Sequence, residues 1–175
     1  EDNGYLPEAI LNYRARLGWS HGDDELFTLE QMVSWFDGSH LSKSPAQWDA
    51  AKLAWVNAQY LKAKPDDALA PLVAAQLHKR GIAADERLPA ICGLFKDRCE
   101  TTVVLADWAA AFYAGVTITD ADRAQHLTDA VRPAVATLAD KLQAVAWDKA
   151  SIAAAIKETL AAHTLKMPAL AMPVR

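Results

Sequence analysis

Apolar residues recur at helical spacing over most of the chain. Leu6, Ile10, Leu11, Tyr13 and Leu17 fall three to four positions apart, which gathers them on one side of a helix. Pro7 and Glu8 suit its first turn, where a missing N–H costs nothing and a negative charge meets the helix dipole. Gly18 can end it in a left-handed cap. Thr28 and Gln31 have the spacing of a capping box ahead of Leu29, Met32, Val33 and Phe36. Asp49 stands where it can cap a third helix whose stripe is Leu53, Val56 and Tyr60, with Trp55 nearby, ending near Lys62.

The stretch Ala63-Lys64-Pro65-Asp66-Asp67 interrupts this pattern with a proline and two carboxylates, and marks a boundary between residues 1–63 and 64–175. Beyond it the spacing predicts a short helix from Pro71 to Arg80 closed by Gly81. A second runs from Asp85 to Arg98 and a third from about Thr102 to Tyr113. A softer boundary, rich in Thr and Asp, spans Gly115 to Asp122 and separates lobes of about 64–115 and 116–175. A helix starting near Pro133 (Val135, Leu138, Leu142, Val145) and one capped by Asp148 (Ile152, Ile156, Leu160) follow. The two prolines after Met167 forbid that last helix from continuing. No strand and no internal repeat stands out, so the fold class is all-α.

Composition fits this reading. Of 175 residues, 52% are hydrophobic and 23% charged, and glycine is scarce at 7, which suits a helical globular protein rather than a disordered one. No apolar run approaches the ~20 residues of a membrane span, and the start lacks a signal-peptide pattern; a cytoplasmic protein without membrane contact is expected. Two cysteines, Cys92 and Cys99, are too few for a disulfide framework, and a helix through both puts them on one side as small buried hydrophobes. Trp19, Trp55, Trp108 and Trp147 sit near apolar stripes and read as core or interface anchors, while Trp35 and Trp48 read as more exposed.

Chemistry is harder to find. There is no phosphate-binding glycine loop, no His-Glu-x-x-His pattern, no paired Cys-x-x-Cys and no nucleophile elbow. His21, beside Asp23 and Asp24, reads as part of a turn. The acidic runs Asp23-Asp24-Glu25 and Asp66-Asp67 read as helix caps rather than metal ligands. Neither a catalytic site nor a metal or cofactor site is expected in this chain.

Two blocks carry a resemblance. Gly4 to Asp23 and Lys43 to Lys62, with Lys-Ser-Pro, Lys-Leu-x-Trp and Asn-x-x-Tyr elements in order, are similar to the region just after the catalytic domain of bacterial glutamyl-tRNA synthetases. The similarity returns at Phe95-Lys-Asp-Arg-Cys-Glu-Thr-Thr102 and at Lys166-Met-Pro-Ala-Leu-Ala-Met-Pro-Val-Arg175, and covers essentially the whole chain. The family's two ATP motifs are absent, so the chain is expected to begin after them and to be cut at both ends.

The resemblance implies that residues 1–63 form a stem-contact domain and that 64–175 form a helical, cage-like bundle in two lobes that binds the anticodon. The partners implied are tRNA(Glu) and the enzyme's own N-terminal catalytic domain. DNA is not expected, and neither is a stable oligomer. The full-length enzyme would be a glutamate–tRNA ligase using ATP and Mg; this chain would supply recognition without catalysis. In the family, the arginine matching Arg98 belongs to the surface that tells glutamate tRNA from glutamine tRNA, so Arg98 leans toward a strict enzyme. Arginine offers a rigid donor fork and a plane that stacks on bases. Lys79, Arg80, Arg87 and Lys96 enrich positive charge around it and are further anticodon candidates, with Lys166 and Arg175 near the end.

Candidate stem contacts are Arg14, Arg16, Lys43 and Lys52. Departures from the family occur at Glu100 and Thr102, where Lys and Leu are common, at Arg14, and at Pro168 and Ala169 in place of a Gly-Lys pair. The net charge of −4 supports a second reading, an all-helical protein-interaction scaffold without RNA binding.

Overall fold

In the computed structural model, which describes residues 3–43 and 45–174, the helical pattern becomes ten α-helices and one 3-10 turn among the described residues. The only strand-like pairing there is a single bridge between Trp19 and Leu41. The chain divides into two units, Glu1–Gly115 and Val116–Arg175.

The first unit contains α1 (Pro7–Gly18), α2 (Leu29–Trp35), α3 (Ala50–Ala63), α4 (Asp66–His78), α5 (Leu88–Phe95), the 3-10 turn Lys96–Arg98, and α6 (Thr102–Ala114). Helix α1 packs on α3, and α4 packs on both α5 and α6. One continuous core runs from Leu6 and Val56 through Leu69, Val73 and Leu77 to Ile91 and Leu105. Helices on either side of the Ala63–Lys64 junction therefore share the same buried cluster.

Two buried asparagines stitch it. Asn57 Oδ1 accepts from the Leu6 N–H at 2.7 Å while its amide donates to the Glu100 carbonyl, joining α3 to both ends of the unit. Asn12 accepts from the Phe27 N–H at 3.0 Å and donates to the Glu25 carbonyl at 2.9 Å. The Tyr60 hydroxyl lies 2.7 Å from Asn12 Oδ1 and 2.6 Å from the Phe27 carbonyl, with one proton for either. These residues give the α1–α2 connection partners that its own backbone lacks. Gly4 completes the closure. Its φ is +76°, and a Cβ there would stand 2.7 Å from the Val103 nitrogen, so only glycine lets the start of the chain reach α6.

Several expectations are corrected by this structure. Helix α4 begins at Asp66 rather than Pro71. Pro65, Asp66 and Asp67 nucleate it through extended φ/ψ at the cap and acidic residues in the first turn, and the exposed Pro71 rides inside it. Gly81, at φ +72°, then lets the Ile82 N–H reach back to the Leu77 carbonyl at 3.1 Å. The single helix from Asp85 to Arg98 is instead α5 followed by a tighter 3-10 turn. Cys92 and Cys99 are both buried and unpaired as expected, but Cys99 is in extended backbone beyond that turn, so the two do not share a helix. Burial pushes the Cys92 thiol up to about 11, which leaves it protonated and unreactive at neutral pH. Trp55 and Trp147 are exposed, Trp147 at 78%, and so are not core anchors; Trp35 is half-buried, stacked on His21 with ring centroids 4.1 Å apart.

The second unit contains α7 (Asp120–His126), α8 (Arg132–Ala144), α9 (Lys149–Ala162) and α10 (Met167–Val174). Helix α7 begins inside the predicted boundary, at Asp120, and runs beyond it to His126. Its apolar content is two alanines, so no periodicity announces it, and the Thr119 hydroxyl caps it by accepting from the Asp122 N–H at 3.1 Å. Helix α9 does stop, at Thr164 with φ 53°, but residues 167–174 start a new helix. Pro168 is tolerated in its first turn and Pro173 at its end. The buried cluster is small: Ala134, Leu138, Ala155 and Leu170 among the described residues.

Candidate nucleic-acid interface

The candidate anticodon residues of the first unit meet different fates. Arg80, just beyond α4, forms a 2.6 Å ion pair with Asp107 of α6. Arg87, before α5, grips Asp85 through Nε and a terminal nitrogen at 2.8–3.0 Å and lies over the Tyr113 ring at 5.2 Å. That hydrogen bond, first among several contacts, holds the Asp85 carboxyl below its ordinary range and raises the Arg87 guanidinium. Lys96 is largely covered, with Nζ 2.8 Å from Asp66 and 2.8 Å from the Lys64 carbonyl. Gly93 makes room for this arrangement, since a Cβ there would stand 2.5 Å from the Asp66 carboxylate. Lys79 is exposed at the end of α4.

Arg98 differs from these. It ends the 3-10 turn, is exposed, and has no hydrogen-bond or ion-pair partner among the described residues. Its neighbours Asp97 and Glu100 are exposed as well. The whole donor fork thus faces solvent on a backbone fixed by the Lys96 anchor and by the buried Cys99. A flexible surface arginine loses more freedom when it binds than one whose backbone is already held.

The stem-contact candidates do not converge. Arg14 and Arg16 are two positions apart on α1 and so lie on different sides of it. Arg14 edges an apolar groove of about 520 Å³ between α1 and α2, lined also by Leu11, Trp19, Met32, Val33 and Phe36. Arg16 instead lines a smaller pocket of about 220 Å³ with Tyr13, Glu25, Asp49 and Lys52. Lys52 is engaged there, 2.6 Å from Glu25 and 4.1 Å from the Trp55 ring centroid. Lys43 is exposed. In the second unit Lys166 is exposed just before α10, and Arg175 lies outside the described residues.

The acidic runs do not cap as expected, since Thr28 and Pro65 hold the cap positions; Asp66 and Asp67 lie in the first turn of α4, and the carboxylates serve as ion-pair partners, Asp24 with His21 at 3.1 Å, Glu25 with Lys52, and Asp66 with Lys96. No helix of the described residues is long and apolar enough to cross a membrane.

Aromatic organisation was missed in the sequence. Phe95 stacks on Trp108 at 5.2 Å with planes 16° apart and meets Phe112 at 5.8 Å. The i,i+4 spacing of Trp108 and Phe112 on one helix was the available signal.

Against known families, residues 67–175 match the model described as an anticodon binding domain. Residues 1–55 match the model for the catalytic domain of class I tRNA synthetases for E and Q. The chain is 67% identical over 174 residues to the glutamate–tRNA ligase of Albidiferax ferrireducens, covering 99% of this chain and 38% of that protein. It is 54% identical over 180 residues to the same enzyme of Burkholderia cenocepacia, again covering 99% and 38%. It thus spans a little over a third of the length of these curated relatives. A crystal structure of a glutamate tRNA ligase from Elizabethkingia meningosepticum in complex with its amino acid superposes with a TM-score of 0.84 at 27% identity. It covers 98% of this chain and 35% of that one.

Proposed function

The chain belongs to the anticodon-binding-domain family of tRNA synthetases, and from that premise we propose that it is the tRNA-recognition part of a glutamate–tRNA ligase. In this reading residues 1–63 contact the inner stem of tRNA(Glu) and 64–175 hold the anticodon. The whole cytoplasmic enzyme works as a monomer and joins glutamate to tRNA with ATP and Mg bound in a separate catalytic part. Residues 1–55, which match the catalytic-domain model, join this chain to that part; the chain itself carries out no chemistry and binds neither ATP nor metal.

The observation that supports the reading most is Arg98. Nearby Arg80, Arg87 and Lys96 are committed to internal carboxylates, and Arg98 keeps its fork for a ligand. Splayed anticodon bases present edges and faces suited to a planar multiple donor. Binding of the chain to glutamate tRNA and to an anticodon-altered transcript, at two salt concentrations, tests it. Affinity should weaken steeply with salt, because phosphate contacts release counterions, and should fall when the anticodon changes. Arg98→Gln should remove about tenfold of that anticodon preference, in line with a bidentate base contact. Equal affinity of the unsubstituted chain for both transcripts would remove the reading.

A second reading, a helical protein-interaction scaffold, draws on the apolar groove between α1 and α2, where Val33 is 68% exposed. It predicts no salt-dependent RNA binding by the folded chain.

A further inference from the structure

Residues 4–6 and 100–102 are laced together inside the first unit. The Thr102 N–H donates to the Gly4 carbonyl at 2.9 Å, and the Thr102 hydroxyl donates to the same oxygen at 3.3 Å. Two residues further along, Asn57 accepts from the Leu6 N–H at 2.7 Å and donates to the Glu100 carbonyl. Pairing runs in reverse order, 4 with 102 and 6 with 100, and Asn57 spans the wider end. Asn57 and Thr102 are 0% and 3% exposed, so no solvent competes for these bonds.

The lacing crosses a family boundary. Gly4 and Leu6 lie in residues 1–55, which match the catalytic-domain model, whereas Glu100 and Thr102 lie in residues 67–175, which match the anticodon-binding model. Asn57 falls in neither and bonds once to each. The segment it grips follows directly on the 3-10 turn Lys96–Arg98, whose near side is pinned by Lys96 to Asp66 and to the Lys64 carbonyl. Gly4 is packed so closely on α6 that even a Cβ would stand 2.7 Å from the Val103 nitrogen. Close-packed, hydrogen-bonded segments have little slack, so a shift of one is passed to the other.

We propose that Asn57 is a positioning residue that makes glutamate transfer in the catalytic part depend on how the anticodon side of this chain is seated on tRNA. This inference rests on the proposed RNA function and adds a route between its two parts. Asn57 touches no substrate and acts through Gly4–Leu6. The other buried asparagine supplies the control. Asn12 makes bonds of the same kind to residues 25, 27 and 60, none of them in the anticodon match, so its loss weakens the same unit without cutting the link.

The test uses the full-length ligase, glutamylating glutamate tRNA with its normal or an altered anticodon, at a temperature where circular dichroism shows each variant folded. In the parent, altering the anticodon should lower kcat as well as raise KM. Asn57→Ala should lower kcat on the normal transcript by about tenfold, change KM by less than about twofold, and erase the kcat difference between transcripts. Thr102→Val removes only the hydroxyl bond and should act in the same direction by about twofold; it carries the test if Asn57→Ala does not fold. Asn12→Ala should keep the parent's kcat ratio. Three results overturn the coupling: both link variants keeping the parent's kcat ratio, Asn12→Ala moving that ratio as much as they do, or a parent kcat that ignores the anticodon. The RNA reading survives each of these so long as this chain alone binds the normal transcript better than the altered one. Equal binding of both by the chain removes that reading and the coupling together.

Discussion

The two units of the chain achieve helical packing by different means. The first buries a long apolar cluster and threads it with polar stitches, Asn12, Asn57 and Tyr60, that reach across up to 51 residues of sequence. The second holds α8, α9 and α10 around four small or medium buried residues, two of them alanine. Its polar ties are the Thr137–His163 contact at 2.9 Å and the Lys141–Glu158 pair. Stability in a small unit leans on each side chain in proportion, because little apolar area is buried for the entropy lost. A unit with a deep core can instead hold exposed, unpaired side chains on a fixed backbone, and it is there that Arg98 stands.

The sharpest way to break this contrast is Leu170→Ala, which empties the fully buried centre of the second unit. The expected loss is roughly 3–4 kcal/mol, enough to unfold so small a core. Hydrogen exchange read by peptide should show protection collapsing in α8–α10 and persisting in α4–α6. Equal collapse in both would mean the units do not respond separately.

Next in size is Asn57→Ala. It strands the Leu6 N–H and the Glu100 carbonyl inside the first unit, and about 2–3 kcal/mol should disappear from its unfolding transition. Chemical denaturation followed by Trp fluorescence reads this, and a change below about 0.5 kcal/mol would show that the stitch is dispensable.

The smallest effect concerns Glu8. Burial alone would raise its carboxyl, yet the hydrogen bond from Lys64 at 2.8 Å and its charge outweigh that and hold it below the ordinary 4.5. A depressed carboxyl contributes stability above its unfolded pKa and loses it as pH falls through the folded one. Glu8→Gln should therefore cost up to about 1 kcal/mol near pH 7 and nothing near pH 3. A melting-temperature gap that stays constant across that range would contradict the ion pair's role.

Much of this was legible in the residues themselves. Thr28 with Gln31, Asp49 and Asp148 each signal a helix start, and each side chain caps in the structure as its spacing implies. These are contacts within a few residues, where chain geometry leaves few alternatives. The all-helical class followed from the same local periodicity, and the resemblance carried by Gly4–Asp23 and Lys43–Lys62 pointed to the family that residues 67–175 match. Helices α7 and α10 escaped for opposite reasons: α7 has only two alanines and starts from its Thr119 cap, while α10 is apolar at every position, so neither shows a helical period.

What the sequence could not rank was its cations. Arg80, Arg87, Lys96 and Arg98 form an undifferentiated basic run when read in order. Folding brings Asp107 to Arg80 and Asp66 to Lys96 from 27 and 30 positions away, and leaves Arg98 unpaired among the described residues. The placement of Phe95 between two rings of α6 is equally invisible from either helix alone. Local sequence fixes helices because their hydrogen bonds close within four residues. Which side chains are consumed and which remain for a ligand depends on pairings between distant segments, and those exist only once the core has formed.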